Sequence, residues 1–393
     1  MNDINYGGGK MSENTYDILN SSTMRVAPLK IIAMHNCREL GDKINTIILN
    51  LCTNESVNTD SYLANYHMEY LRTGERRAVI EESVRGTDLY IITDVVNRND
   101  EEAMKGYPYG ATPDEHFMDL KRIISACRGT AHRINVIMPF LYECRFDNRS
   151  RLESLDPSIA LKDMFGMGIS NFITFDAHEP RVQNAIPIQG IDNYPTSYNF
   201  IDAIINGNEG ITIDKDSLII VSPDIGGMGR VVFYSSILGI NMGMFYERKN
   251  YSELVDGTNP VVAVEFLGGD IKGKDVIIVD DMIDSGNSMI KTATELKRRG
   301  ANKVIIAATY GLFNDGLEKF DKAYKEGLFN RIYTTNLTYC TNELKSREYY
   351  RNVDMSEQIG KIINTINCDS SLSELIDHSA LIIDLLKNKQ NNI

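Results

Sequence analysis

The sequence predicts an α/β protein made of two similar units, each a mostly parallel sheet flanked by helices. Three observations predict it. From Leu29 onwards, short apolar runs alternate with stretches whose apolar residues recur at helical spacing, the pattern of strands joined by crossover helices. The same rhythm starts afresh in the second half of the chain. The length, 393 residues, exceeds what one small core needs and suits two.

In the first half LKIIAM reads as a strand and CRELGDKINTIILNL as a helix. DLYIITDVV, RINVIMPF and NFITFDA are further strands, and EHFMDLKRIISACRG is a helix between the first two. DPSIALKDMFGMG is a helix, with Asp156 as the expected N-cap and Pro157 in the first turn. In the second half SLIIVSPD, NMGMFYE, KDVIIVDD, KVIIAATYG and RIYTTN read as strands. MGRVVFYSSILG, SMIKTATELKRRG and GLEKFDKAYKEG are the helices among them. The polar stretch IDNYPTSYN separates the halves. The expected divisions are a loosely docked extension over 1–26, one α/β domain over 27–196 and a second over 197–345. A strand and helix over 346–393 are expected to pack back on the first domain, with the last dozen residues frayed.

Composition narrows the function. A formal charge of −13 argues against a nucleic-acid partner, which needs a basic surface. No apolar run approaches the ~20 residues that span a bilayer, so no membrane role is expected. Cysteines 37, 52, 127, 144, 340 and 368 form no Cys-x-x-Cys pair. With a polar N-terminus lacking the apolar core of a signal peptide, they read as free thiols in the cytoplasm rather than zinc ligands.

The informative stretch is VIIVDDMIDSGNSM, Val276 to Met289. A buried strand ends in Asp280 and Asp281, and in open α/β sheets ligands bind beyond the carboxyl ends of strands. Asp284, Ser285, Gly286, Asn287 and Ser288 form the turn into the next helix. Successive amides in such a turn, with the helix N-terminus, hold a phosphate. Ser285 and Ser288 add hydroxyls, and Gly286 admits close approach. The acids would repel that phosphate unless they meet sugar hydroxyls or a metal ion. An isolated Asp-Ser turn is more often a plain helix cap, but three acids followed by small polar residues favour the site.

This stretch closely resembles the signature of the phosphoribosyl-diphosphate binding fold. EESVRGTDLYII, CRFD, FDAHEP and VSPDIGG are similar, in order, to motifs of the ribose-phosphate diphosphokinase (PRPP synthetase) family, and the resemblance runs over roughly residues 29 to 376. It implies two phosphoribosyltransferase-type domains, in which the anomeric hydroxyl of ribose 5-phosphate attacks the β-phosphorus of ATP and AMP departs. It implies ribose-5-phosphate binding by Asp280, Asp281, Asp284, Ser285, Gly286, Asn287 and Ser288. It also implies Mg2+ near His178 and Asp224, ATP contacts at Arg145, Asp147 and His178, and a homo-oligomer, a dimer or hexamer.

Two departures accompany the resemblance. The family's catalytic loop opens with Lys-x-Arg; here Tyr246 stands in place of the lysine, Arg248 is kept and Lys249 follows. The segment that meets the adenine site of a neighbouring subunit reads LRTGE, with only Glu75 retained from its pattern. The stretch from Asn97 to Glu115 is longer than the family's loop and carries no assignment. The first reading is therefore an active diphosphokinase. The second is a non-catalytic homologue that binds nucleotide or ribose phosphate, marked by Tyr246. The third, a phosphoribosyltransferase, leaves the first half without a purpose.

Overall fold

The structure is a computed structural model that describes residues 24–52, 59–98, 112–207, 209–249 and 261–391; of residues 247–249, 261–263 and 390–391 it describes only the backbone path. Most of the expected N-terminal extension and of the long stretch after Asn97 lies outside the described residues.

The first sheet contains β1 (Leu29–Ala33), β4 (Asp88–Ile92), β5 (Arg133–Ile137), β6 (Asn171–Phe175) and β7 (Asp192–Tyr194), in that spatial order and all parallel. A separate antiparallel hairpin joins β2 (Tyr66–Tyr70) to β3 (Arg76–Ile80). The second sheet runs in the order β10 (Val261–Gly268), β9 (Asn241–Lys249), β8 (Leu218–Ser222), β11 (Asp275–Ile283), β12 (Val304–Gly311), β13 (Arg331–Thr335) and β14 (Tyr350–Val353). Only the β9–β10 pair is antiparallel. β4, β8 and β12 are buried at every residue, which explains their unbroken apolar runs: helices cover both faces of a parallel sheet.

The helices are α1 (Arg38–Leu51), α2 (Pro113–Cys127), α3 (Asp156–Gly166), α4 (Ser197–Asn206), α5 (Met228–Leu238), α6 (Asn287–Arg298), α7 (Glu318–Lys325), α8 (Asn342–Lys345), α9 (Ser356–Asn367), α10 (Ser373–Ile376) and α11 (Ser379–Asn391). Thr112 and Glu115 close a reciprocal capping box on α2, satisfying two amide donors that would otherwise lack partners. At α3 the expected cap is corrected. Leu155 holds the N-cap position without a side-chain bond, and Asp156 is already helical. Its carboxylate is engaged at 2.6 Å by the Ser154 hydroxyl, so it does not turn back to the helix amides.

The tail differs from expectation too. Through Asn391 it is helical rather than frayed, and α11 packs on α4 and α5. Ile382 is fully buried, and Leu385 and Leu386 pack beside it at helical spacing, so a short apolar stripe fixes the segment. Lys389 Nζ adds a hydrogen bond to the Ile205 carbonyl. Upstream, β14 extends the second sheet, while α9 lies against α1 of the first unit. The stretch IDNYPTSYN supplies β7 and opens α4.

The two sheets meet along their carboxyl edges. Tyr310, at the end of β12, places its hydroxyl 2.5 Å from the carbonyl oxygens of Pro139 and Phe175 in the first unit. The main apolar core is continuous from β1 to α11, so the crevice between the sheets has a packed floor.

Candidate active site

A crevice of about 820 Å³ lies between the carboxyl ends of β6 and β7 on one side and of β8 and β11 on the other. Its floor carries Asp280 and Asp281. Asp281 is 4% exposed, and its Oδ2 lies 2.5 Å from Nδ1 of His178, which follows β6. Arg230, in the first turn of α5, places Nη1 3.6 Å from Asp280 Oδ1.

This setting pulls the two neighbouring acids apart. Burial and the adjacent Asp281 push Asp280 well above the ordinary carboxylate range. For Asp281 burial also opposes ionisation, but the hydrogen bond to His178 and the charge of Arg230 prevail and lower its pKa. The same hydrogen bond raises His178. The pair thus holds one acid inclined to keep its proton beside one that stays ionised.

Around this floor Asp176 adopts a left-handed backbone at φ 35°, an uncommon conformation for a non-glycine residue. Its Oδ2 accepts hydrogen bonds from Thr309, at 2.6 Å, and from Thr196. Asp284 accepts from Asn314 at 2.6 Å and from Arg145 at 2.6 Å, which outweigh its burial and hold it below the normal range. Gly286 caps α6 at φ 81°, and a Cβ there would lie 2.1 Å from Cζ of Phe320. Only glycine fits this turn.

The structure brings together Arg145, Asp147, His178, Asp224, Asp280, Asp281, Asp284, Ser285, Gly286 and Ser288. Asn287 does not line the crevice; its side chain accepts from Lys319 at 2.9 Å. Glu75 lies at the β2–β3 turn, bonded to the Thr73 hydroxyl at 2.6 Å, and does not line it either. Tyr246 is 36% exposed and faces an adjoining cavity of about 440 Å³ that shares Asp224, Gly226 and Ser288 with the crevice. Arg248 and Lys249 continue β9 beyond it.

Sequence reasoning missed Arg230, Asp176, Thr196 and Thr309, all of which line the crevice. Arg230 had a signal, as the one basic residue of a mostly apolar helix. The threonines had none, since a threonine at a strand end is ordinary.

Among the described residues no three His, Cys, Asp or Glu side chains form a closed metal site. Mg2+ commonly keeps several waters and takes phosphate oxygens as ligands. An open pair, His178 and Asp224, both facing the crevice, fits that habit.

Comparison with known proteins matches two family descriptions in succession. Residues 29–167 match the N-terminal domain of ribose phosphate pyrophosphokinase, and residues 198–343 match the phosphoribosyl transferase domain. The chain belongs to the ribose-phosphate pyrophosphokinase family. Ribose-phosphate pyrophosphokinase of Mycoplasma genitalium is 26% identical over 325 residues, covering 82% of this chain and 88% of the relative. That of Chlorobaculum tepidum is 25% identical over 353 residues, 89% of this chain and 95% of the relative. The solved phosphoribosylpyrophosphate synthetase of Mycobacterium smegmatis shares the fold, with a TM-score of 0.68 at 21% identity, over 86% of this chain and 98% of that one. Among the described residues no helix is long and apolar enough to cross a membrane.

Proposed function

We propose that this member of the ribose-phosphate pyrophosphokinase family transfers the diphosphoryl group of ATP to the anomeric hydroxyl of ribose 5-phosphate. The observation that carries the reading is the convergence of both halves on one crevice: Asp281 with His178, and Asp284 with Arg145. The turn from Asp284 to Ser288 offers amides and hydroxyls to the 5-phosphate. Asp281, ionised, accepts from a ribose hydroxyl, while Asp280, inclined to keep its proton, can donate as well as accept. Arg145 and Asp147 face the space left for ATP.

In the reaction the anomeric hydroxyl gives up its proton to solvent as its oxygen bonds to the β-phosphorus. The bond from the β-phosphorus to the bridging oxygen breaks, and AMP leaves with that oxygen. Magnesium, held at His178 and Asp224, would offset charge on the transferring diphosphate. Arg248 and Lys249 are assigned as cations for that group, with Tyr246 beside them as a neutral member. Glu75, away from the crevice of its own chain, is assigned to the ATP site of a neighbouring subunit in a homo-oligomer, a dimer or hexamer.

The test is incubation of the full chain with magnesium, ATP and ribose 5-phosphate, following AMP and PRPP. Equal amounts of both are expected. Absence of product with ribose 5-phosphate still bound overturns the catalytic reading and leaves a binding homologue.

A further inference from the structure

The two sheets repeat each other strand for strand. The order β1-β4-β5-β6-β7 matches β8-β11-β12-β13-β14. The registers match as well. Leu29 pairs Asp88 as Leu218 pairs Asp275, and Asn135 pairs Asn171 as Ile305 pairs Arg331. Counting on from these pairs equates positions beyond the strand ends. Asp94 stands where Asp281 stands, His35 where Asp224 stands, and Thr338 where His178 stands.

A cavity of about 230 Å³ lies at that equivalent place, between the carboxyl ends of β1 and β4 and the ends of β13 and β14. Asp94, His35 and Thr338 all line it, as do Asn336 and Asn352, the counterparts of Asp176 and Asn193. Asp94 Oδ2 accepts from the backbone amide of Tyr339 at 2.7 Å, one residue beyond the counterpart of His178, which in the main crevice meets Asp281 through its side chain.

The differences show what such a cavity would hold. Counterparts of Asp176, Asp224, Asp280 and Asp284 are Asn336, His35, Thr93 and Asn97. Four carboxylates are gone, while Arg38, Lys43 and Lys345 line the cavity against Glu39 and Asp94. An acidic crevice suited to a metal–phosphate complex has become a more cationic one with no use for metal. Thr338 is 5% exposed, and its buried hydroxyl has no hydrogen-bond partner. A polar atom left so is costly and points to a ligand or water beside it.

We infer that this cavity is a second binding site, taking a small phosphate-bearing ligand of sugar-phosphate size without a metal ion. The ligand class, though not the place, rests on reading the main crevice as a ribose-phosphate site. The shared chemistry is the phosphate group, carried by a sugar or free.

The experiment is equilibrium titration of the full chain with ribose 5-phosphate in excess EDTA, alongside inorganic phosphate. Two equivalents of ribose 5-phosphate per chain are expected. Thr338→Val and, separately, the exposed Arg38→Gln should each weaken one of them about tenfold, the worth of one charge-assisted or buried hydrogen bond. Asp281→Asn should weaken the other. Tighter binding of ribose 5-phosphate than of inorganic phosphate at the site sensitive to Thr338 supports the sugar ester; equal binding supports the phosphate alone. A single equivalent that Asp281→Asn removes and Thr338→Val leaves untouched overturns the inference while sparing the main crevice. A single equivalent lost with Thr338→Val does the reverse. No binding of either probe overturns the inference outright.

Discussion

Asp281 and His178, 103 residues apart, meet at 2.5 Å across the junction of the two sheets. The carboxylate fixes the imidazole by its Nδ1 and leaves Nε2 free to face the crevice. Orienting partners of this kind affect a ligand's usefulness nearly as much as the ligand itself. Asp281→Asn is expected to lower kcat by about 10–100-fold. His178→Ala should lose at least as much. Steady-state rates at saturating magnesium check both, and an Asp281→Asn protein with full kcat would remove the positioning role.

Arg230 lies 3.6 Å from Asp280 on this acidic floor; burial opposes its charge, but Asp176, Asp281 and Asp280 prevail and raise its pKa. Removing one partner of a buried charge cluster leaves the others uncompensated. Arg230→Met is expected to destabilise the fold by about 3–5 kcal/mol and to weaken ribose 5-phosphate binding. Urea unfolding and titration read the two effects separately; unchanged stability would mean that the acids are relieved otherwise, by protonation or water.

Much of this was legible in the sequence, for a physical reason. Parallel strands buried on both faces are unbroken apolar runs, so β4, β8, β11 and β12 announce themselves, and acids at such a strand's end stand out. The hairpin of β2 and β3, the strand β10 and the helical tail were not legible. The hairpin strands YHMEY and RRAVI are half polar, and the apolar stripe of α11 is short, so it shows itself only where it packs on α4 and α5. The second cavity was hidden more deeply. Its residues are ordinary His, Asn and Thr, and only strand register reveals their equivalence to the crevice.

Gly286→Ala tests the phosphate turn. A left-handed backbone costs a non-glycine residue about 1–2 kcal/mol, and the new methyl would meet the Phe320 ring at 2.1 Å, adding about 1–3 kcal/mol of overpacking. Both effects should appear as a lower unfolding midpoint and a raised KM for ribose 5-phosphate. An unaltered KM would place the phosphate elsewhere.

Tyr246 offers a gain rather than a loss. It is partly exposed, so Tyr246→Lys should change stability by no more than about 0.5 kcal/mol. A cation there, beside the space shared by Asp224 and Ser288, is expected to raise kcat, by up to about 10²–10³-fold if it reaches the transferring group. Pre-steady-state measurement of AMP release checks the chemical step directly. A rate unmoved by the lysine would mean that the family's loop cation is already supplied from another position.

Asp94 makes stability depend on pH in an unusual direction. Burial pushes its carboxyl to about 7, although the amides of Tyr339, Val96 and Asn97 favour the ionised form. Between the ordinary value of 3.8 and about 7, the folded chain holds a proton there that the unfolded chain has released. Stability falls wherever the native state binds more protons than the unfolded one as pH rises. This group's contribution is therefore full below the ordinary value and declines up to about pH 7, by about 1.4 kcal/mol per pH unit at most. Asp94→Asn removes the titration, though its amide nitrogen cannot accept both bonds now made to Tyr339 and Val96. The variant is thus expected to be less stable than the parent at low pH, with the gap narrowing steadily as pH rises to 7 and constant above it. Urea unfolding of both proteins across that range decides the matter: a gap independent of pH would show that Asp94 keeps the same protonation state folded and unfolded.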